Sequence, residues 1–153
     1  MDILKQVEEI LREQDPQEKE YLLEALNQVL EYHRGLNDAE IVEAVQLLLP
    51  AALQEDDKRA REAFFDAMNT AAIHHDIERH VDWDILASSL SSLAKGDLEY
   101  ALDLLGFSGQ IRYLPILNEY THDADPEIRE WAEDAIKEVE YRVAHASSAR
   151  KVG

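Results

Sequence analysis

The chain has no cysteine among its 153 residues. That excludes a disulfide framework and a zinc site built on thiolates. Glycine and proline are scarce, at five and four, so neither a collagen-like nor a low-complexity chain is in question. Long apolar runs are missing too. The best is the short VQLLLPAAL, well under the ~20 residues that span a bilayer. The opening MDILKQVEEILRE is charged and periodic, without the apolar centre of a secretory leader. A cytoplasmic protein is the expectation.

Positive charge is the other shortage. Fifteen Lys and Arg stand against 33 Asp and Glu, for a net charge of −18. The excess is spread out, at −8, −6 and −4 over residues 1–50, 51–100 and 101–153. It is an acidic surface and not an acidic tail. A nucleic-acid binder needs a basic face to displace counterions from phosphates, and none is visible. An acidic surface attracts basic partners and speeds their capture.

What the chain does have is helical periodicity. Apolar residues form 46% of it, enough for one domain burying roughly 70% of its unfolded surface. Residues 2–13 place Ile3, Leu4, Val7, Ile10 and Leu11 on one face. Asp15-Pro16 starts a second helix, to about His33, with Tyr21, Leu22, Ala25, Leu26, Val29 and Leu30 inward and Gly35 behind it. Asn37 and Glu40 have capping-box spacing. The helix they open carries Ile41, Ala44, Val45, Leu48 and Ala52, and Pro50 is expected to kink or end it. The next helix, to about His75, places Ala60, Ala63, Phe64, Ala67, Met68, Ala71 and Ala72 on one face. Residues 74–80 connect. Asp82 or Asp84 then caps a helix holding Trp83, Leu86, Leu90 and Leu93, which Gly96 closes.

The stretch from Gly106 to Ile136 alternates helices and tight turns. Gly106 and Gly109 stand where a helix stops, because glycine adopts the left-handed conformation freely. Pro115 falls in the first turn of the next helix, and Leu114, Leu117 and Tyr120 recur at helical spacing. Asp125-Pro126 opens the last helix, with the apolar stripe Ile128, Trp131, Ala132, Ala135, Ile136, Val139 and Val143. Residues 147–153 lack periodicity and read as a flexible tail behind a single domain at 1–146.

Gly109, Leu114-Pro115-x-Leu117, Asp125-Pro126-x-Ile128-Arg129 and Ala135-Ile136 together resemble the HEAT-like repeats of bacterial helical solenoids, the phycobilin-lyase type. The resemblance implies an all-α, right-handed α-α superhelix of about eight helices in three to four repeats. It also implies that Asp125 caps a helix and that Arg129 braces neighbouring repeats. A register test agrees. Glu20, Glu62, Glu99 and Glu130 align at spacings of 42, 37 and 31, within the range of roughly 30–47-residue helical repeats.

No sequence motif specifies catalysis. His74, His75 and His80, with Asp76 and Glu78, are the nearest to a metal cluster, but histidines on an apolar stripe or in a turn explain them better. Dinuclear iron enzymes on HEAT-like scaffolds use repeated His-Glu pairs, and this chain has no such dipeptide. Ser88, Ser89, Ser91 and Ser92 lack a nucleophile-elbow pattern. Glu133-Lys137 and Arg129-Glu133 are helix-surface pairs. Trp83 and Trp131 fall on apolar stripes. Asp134 beside Trp131 is the one echo of HEAT-type alkylpurine glycosylases, without their basic groove.

A non-catalytic binding module is therefore expected, with no cofactor, no metal and no membrane or nucleic-acid partner. In such solenoids the second helix of each pair lines the concave face, here about 38–54, 82–95 and 110–121. Glu40, Glu43, Asp82, Asp84, Glu119 and Asp123 would supply charge there, with Tyr113 and Tyr120 as aromatic anchors. Small acidic bacterial proteins of this kind include immunity proteins that neutralise basic nuclease toxins. The alternative is an adaptor or assembly chaperone of the phycobilin-lyase kind.

Overall fold

A computed structural model describes residues 2–77 and 80–152, with side chains as far as Ala146. Among the described residues it is all-helical: α1 Ile3–Arg12, α2 Pro16–Tyr32, α3 Asp38–Gln54, α4 Lys58–His74, α5 Asp84–Ala87, α6 Lys95–Phe107, α7 Leu114–Tyr120 and α8 Pro126–Val152. Short 3-10 turns lie at Leu90–Ser92 and Ile111–Tyr113. None of the described helices is long and apolar enough to cross a membrane. The chain divides into two compact units, one ending at Leu86 and one beginning at Ala87.

The helix starts follow local chemistry. The side chains of Asp2, Asp15, Asn37 and Asp57 accept from the backbone N–H three residues on, at 3.0–3.2 Å. Each satisfies one of the N–H groups that a first turn leaves without an intrahelical partner. Asp125 accepts from the Glu127 N–H at 2.9 Å, with Pro126 behind it in the first helical position.

In the first unit, next-but-one helices pack together. α2 lies along α4 and α1 along α3, with α1 also touching α2 and α3 touching α4. The stripes of α3 and α4 are buried residue for residue as their periodicity predicts. α2 departs from expectation. Leu23, Leu26, Val29 and Leu30 face the core, Leu22 is half-buried, and Tyr21 and Ala25 are exposed. Leu11 on α1 is also exposed. Pro50 does not end α3. It stands on the exposed side one turn before Gln54, where few bonds remain to be lost.

The helix expected over 82–95 is instead α5 and a 3-10 turn. Serines explain the break, since their hydroxyls compete for backbone groups; the Ser92 hydroxyl donates to the Ser89 carbonyl at 2.7 Å. Trp83, Leu86 and Leu90 are nevertheless buried.

In the second unit α6 and α7 both pack on α8. Gly96 and Gly106 do not end helices, because both lie inside α6. Gly109, at φ 61°, makes the stop. Arg129 donates to the Asp123 carbonyl at 2.8 Å, so it ties down the turn before its own helix. Arg61 does the same six residues back, to Glu55 at 2.9 Å. Helix-to-helix ties come from lysines: Lys19 of α2 to Glu55 at 2.6 Å, and Lys95 of α6 to Asp125 and Glu127 at 3.0 and 3.2 Å. The backbone of residues 147–152, read from sequence as a tail, is helical and continuous with α8; Gly153 lies outside the described residues.

Candidate partner-binding surfaces

Four of the acids expected on a binding face lie in the first unit, and all four are exposed. Glu40 and Glu43 project from α3. Asp82 and Asp84 are brought beside the same helix by Gln46, whose amide donates to the Asp82 carbonyl at 3.2 Å and accepts from the Asp82 N–H at 2.5 Å. The Asp82 carboxylate accepts from the Asp84 N–H at 2.9 Å, which starts α5. Exposed Leu47 and Ile85 lie on these same elements.

The two remaining acids, Glu119 and Asp123, and the two tyrosines lie in the second unit, and Tyr113 differs most from expectation. Tyr113 is only 3% exposed and is not a surface anchor. The 3-10 turn ahead of α7 rotates it inward and turns Ile111 out. The Arg112 guanidinium covers its ring at 4.9 Å. Glu119 is exposed and Tyr120 half-buried. Burial, then the Glu119 and Asp123 charges, push the Tyr120 phenol above its ordinary pKa. The Asp123 carboxylate accepts from the Asp125 N–H at 2.9 Å, a turn-building role.

A further site lies between α2 and α4. A cleft of about 170 Å³ is lined by Glu20, Leu23, Glu24 and Asn27 from α2 and by Arg59, Glu62, Ala63 and Asp66 from α4. Both sets follow the spacing i, i+3, i+4, i+7, which is one helix face against another. The repeat register continues through it. Glu20-Tyr-Leu-Leu-Glu-Ala-Leu-Asn27 aligns with Glu62-Ala-Phe-Phe-Asp-Ala-Met-Asn69, identical at Glu, Ala and Asn and with Glu24 opposite Asp66. The recurrence of acid, acid and asparagine is a signal in the sequence, of which the register test above uses only the first acid.

A cleft of about 320 Å³ at the end of α4 includes His33, His74 and His75. The His75 ring donates from Nε2 to the Leu30 carbonyl at 2.6 Å, near the carbonyl end of α2, where a histidine is favourably placed. Among the described residues no three His, Asp or Glu side chains are arranged to hold a metal ion. Glu78 lies outside the described residues.

Among the described acids, Asp103 on α6 is the most perturbed. Burial, then the Glu138 and Asp134 charges of α8, push its pKa from 3.8 to about 6. The folded state thus holds this proton more tightly than the unfolded chain does. The associated stability is present below about pH 4 and is lost as pH rises through 6. Asp103→Asn is expected to raise the melting temperature at pH 7.5 and leave it unchanged at pH 3.5. An equal gain at both pH values would show that ionisation of Asp103 is not the cause.

No protein-family model matches this chain, and no curated protein or solved structure is significantly similar to it.

Proposed function

We infer that this protein is a non-catalytic binding module for a basic protein partner, built as a HEAT-like helical solenoid. The next-but-one packing of α1 on α3 and α2 on α4 supports a layered repeat architecture. One observation carries the partner's charge. Most of the acids among the described residues are exposed or half-buried, and several line the cleft between α2 and α4, while Asp97 is the acid among them that is buried as a whole residue. Most of the acidic excess behind the net charge of −18 is thereby displayed to partners and solvent.

The specific form we favour is an inhibitor of a nuclease-type toxin. Carboxylates held on rigid helices imitate the phosphates such an enzyme recognises, and they cover its basic active site. With a basic nuclease encoded beside its own gene, the protein is expected to bind tightly at low salt and to stop cleavage. Affinity should fall steeply as salt rises, as for other charge-steered complexes. Binding that leaves cleavage intact would reject the inhibitor form, and failure to bind any basic protein would reject the function altogether.

A further inference from the structure

In the second unit α6 and α8 run side by side in the same direction, and three contacts fix their register. At one end the Lys95 ammonium lies 3.0 Å from the Asp125 carboxylate. In the middle a Cβ on Gly106 would stand 2.9 Å from the Ala135 Cα, so the two backbones leave no room between them. At the other end the Arg142 guanidinium lies 5.1 Å from the centre of the Phe107 ring. Asp103 precedes Phe107 by about one helical turn, so it faces the stretch of α8 that precedes Arg142. That stretch presents Asp134 and Glu138, which share a face at i, i+4.

Three carboxylates therefore face one another across a close seam, and Asp103 is half-buried in it. Glu138 has a cation, since its carboxylate accepts from the Arg142 Nε at 2.9 Å. Asp103 has none. Burial, then the Glu138 and Asp134 charges, act on it, and all three raise its pKa. Among the described residues neither Lys137 nor Arg142 of α8, nor any charge of α6 itself, offsets them. An ionised Asp103 is held against two like charges where the backbones cannot spread without parting. Its full hydration requires the seam to open.

We propose that this seam is a proton-operated latch: a protonated Asp103 keeps α6 closed on α8, and an ionised one, repelled by Asp134 and Glu138, favours local opening of the two helices while the first unit stays folded. The latch is separate from the partner-binding function above, and its failure leaves that reading standing. The closed form holds the proton more tightly than an open form in which Asp103 is hydrated, so acid favours closure. A value of 3.8 when open and about 6 when closed makes opening about tenfold more frequent at pH 7.5 than at pH 5.

Native-state hydrogen exchange of the full-length protein, corrected for the intrinsic pH dependence of each amide, tests this. Protection of amides in residues 98–107 and 132–142 is expected to fall about tenfold from pH 5 to pH 7.5, while that of α2 and α4 stays level. In Asp103→Asn, whose side chain cannot ionise, the fall should vanish. Asp134→Asn combined with Glu138→Gln should reduce it to a few-fold, because burial, the larger cause, remains. A fall that persists in Asp103→Asn would overturn the latch, as would a double variant as pH-sensitive as the wild type. An equal fall in α2 and α4 would also overturn it, by making Asp103 a contributor to global stability and not to a local opening.

Discussion

Gly106→Ala is expected to destabilise the protein by about 1–3 kcal/mol, the range for forcing extra atoms into a packed contact. Intrinsic preference runs the other way, since alanine in a helix interior is favoured over glycine by about 0.5–1 kcal/mol. Space decides the sign. A Cβ at Gly106 would lie 2.9 Å from the Ala135 Cα, and 3.1 Å from both its Cβ and its carbonyl oxygen. These are backbone and first side-chain atoms, so no rotamer change relieves the clash and α8 must move as a body. Gly96 on the same helix is the internal control. A Cβ there meets nothing within 4 Å, so Gly96→Ala is expected to stabilise by a few tenths to about 1 kcal/mol. Urea melts of the two variants should move in opposite directions. If Gly106→Ala melts with the wild type, α6 and α8 can part without cost and the close approach is not what holds the second unit together.

Lys19→Met should cost about 1–3 kcal/mol at neutral pH, because it leaves a partly buried carboxylate without its cation. The Lys19 ammonium lies 2.6 Å from Glu55 Oε1, with the two side chains only 17% and 9% exposed. The other carboxylate oxygen accepts from the Asp57 N–H at 3.1 Å. Burial drives the Glu55 pKa up, but Lys19 and the Asp57 and Asp56 N–H groups outweigh it, and the net shift is below the ordinary 4.5. For an acid with a depressed folded pKa, the stabilisation is present above its unfolded value and is lost as pH falls through the folded one. The gap between wild type and Lys19→Met should therefore be widest near pH 7 and narrow below about pH 4. Adding Glu55→Leu should restore much of the loss, since an apolar pair replaces a charged one with little penalty. A constant gap across pH would mean that Lys19 acts through packing of its stem. Lys95→Met removes a tie of similar length, but Lys95 is half exposed and its ion pairs are screened. Its melt should barely change.

The parts of the fold legible in sequence are those set within a few residues. Asp15, Asn37 and Asp125 act as helix starts because each carboxylate or amide meets an N–H two or three residues away. The stripes of α3 and α4 were legible because one face is apolar and the other is not. α2 was not, because Tyr21, Leu22 and Ala25 repeat at helical spacing just as Leu23, Leu26 and Leu30 do. Periodicity identifies the helix but not which of two apolar faces is buried; α1 and α4 decide that by taking up the leucine face.

Glycine shows the same division. Gly109 has a conformational signature, a positive φ at the end of α6, which neighbouring residues foretell. Gly106 has a steric one, imposed by Ala135, 29 positions away in the chain. Tyr113 looked like an exposed anchor until the turn before α7 rotated it inward. The candidate cleft belongs to the second kind as well. The sequence alone determined that Glu20 and Glu62 recur in register, that the chain folds as helices and that its surface is acidic, since composition and periodicity are properties of the chain itself. Only the tertiary structure decided that those two acids face the same gap and that Tyr21 lies open. Both depend on which helices, far apart in the chain, are pressed together to hide the leucines from water.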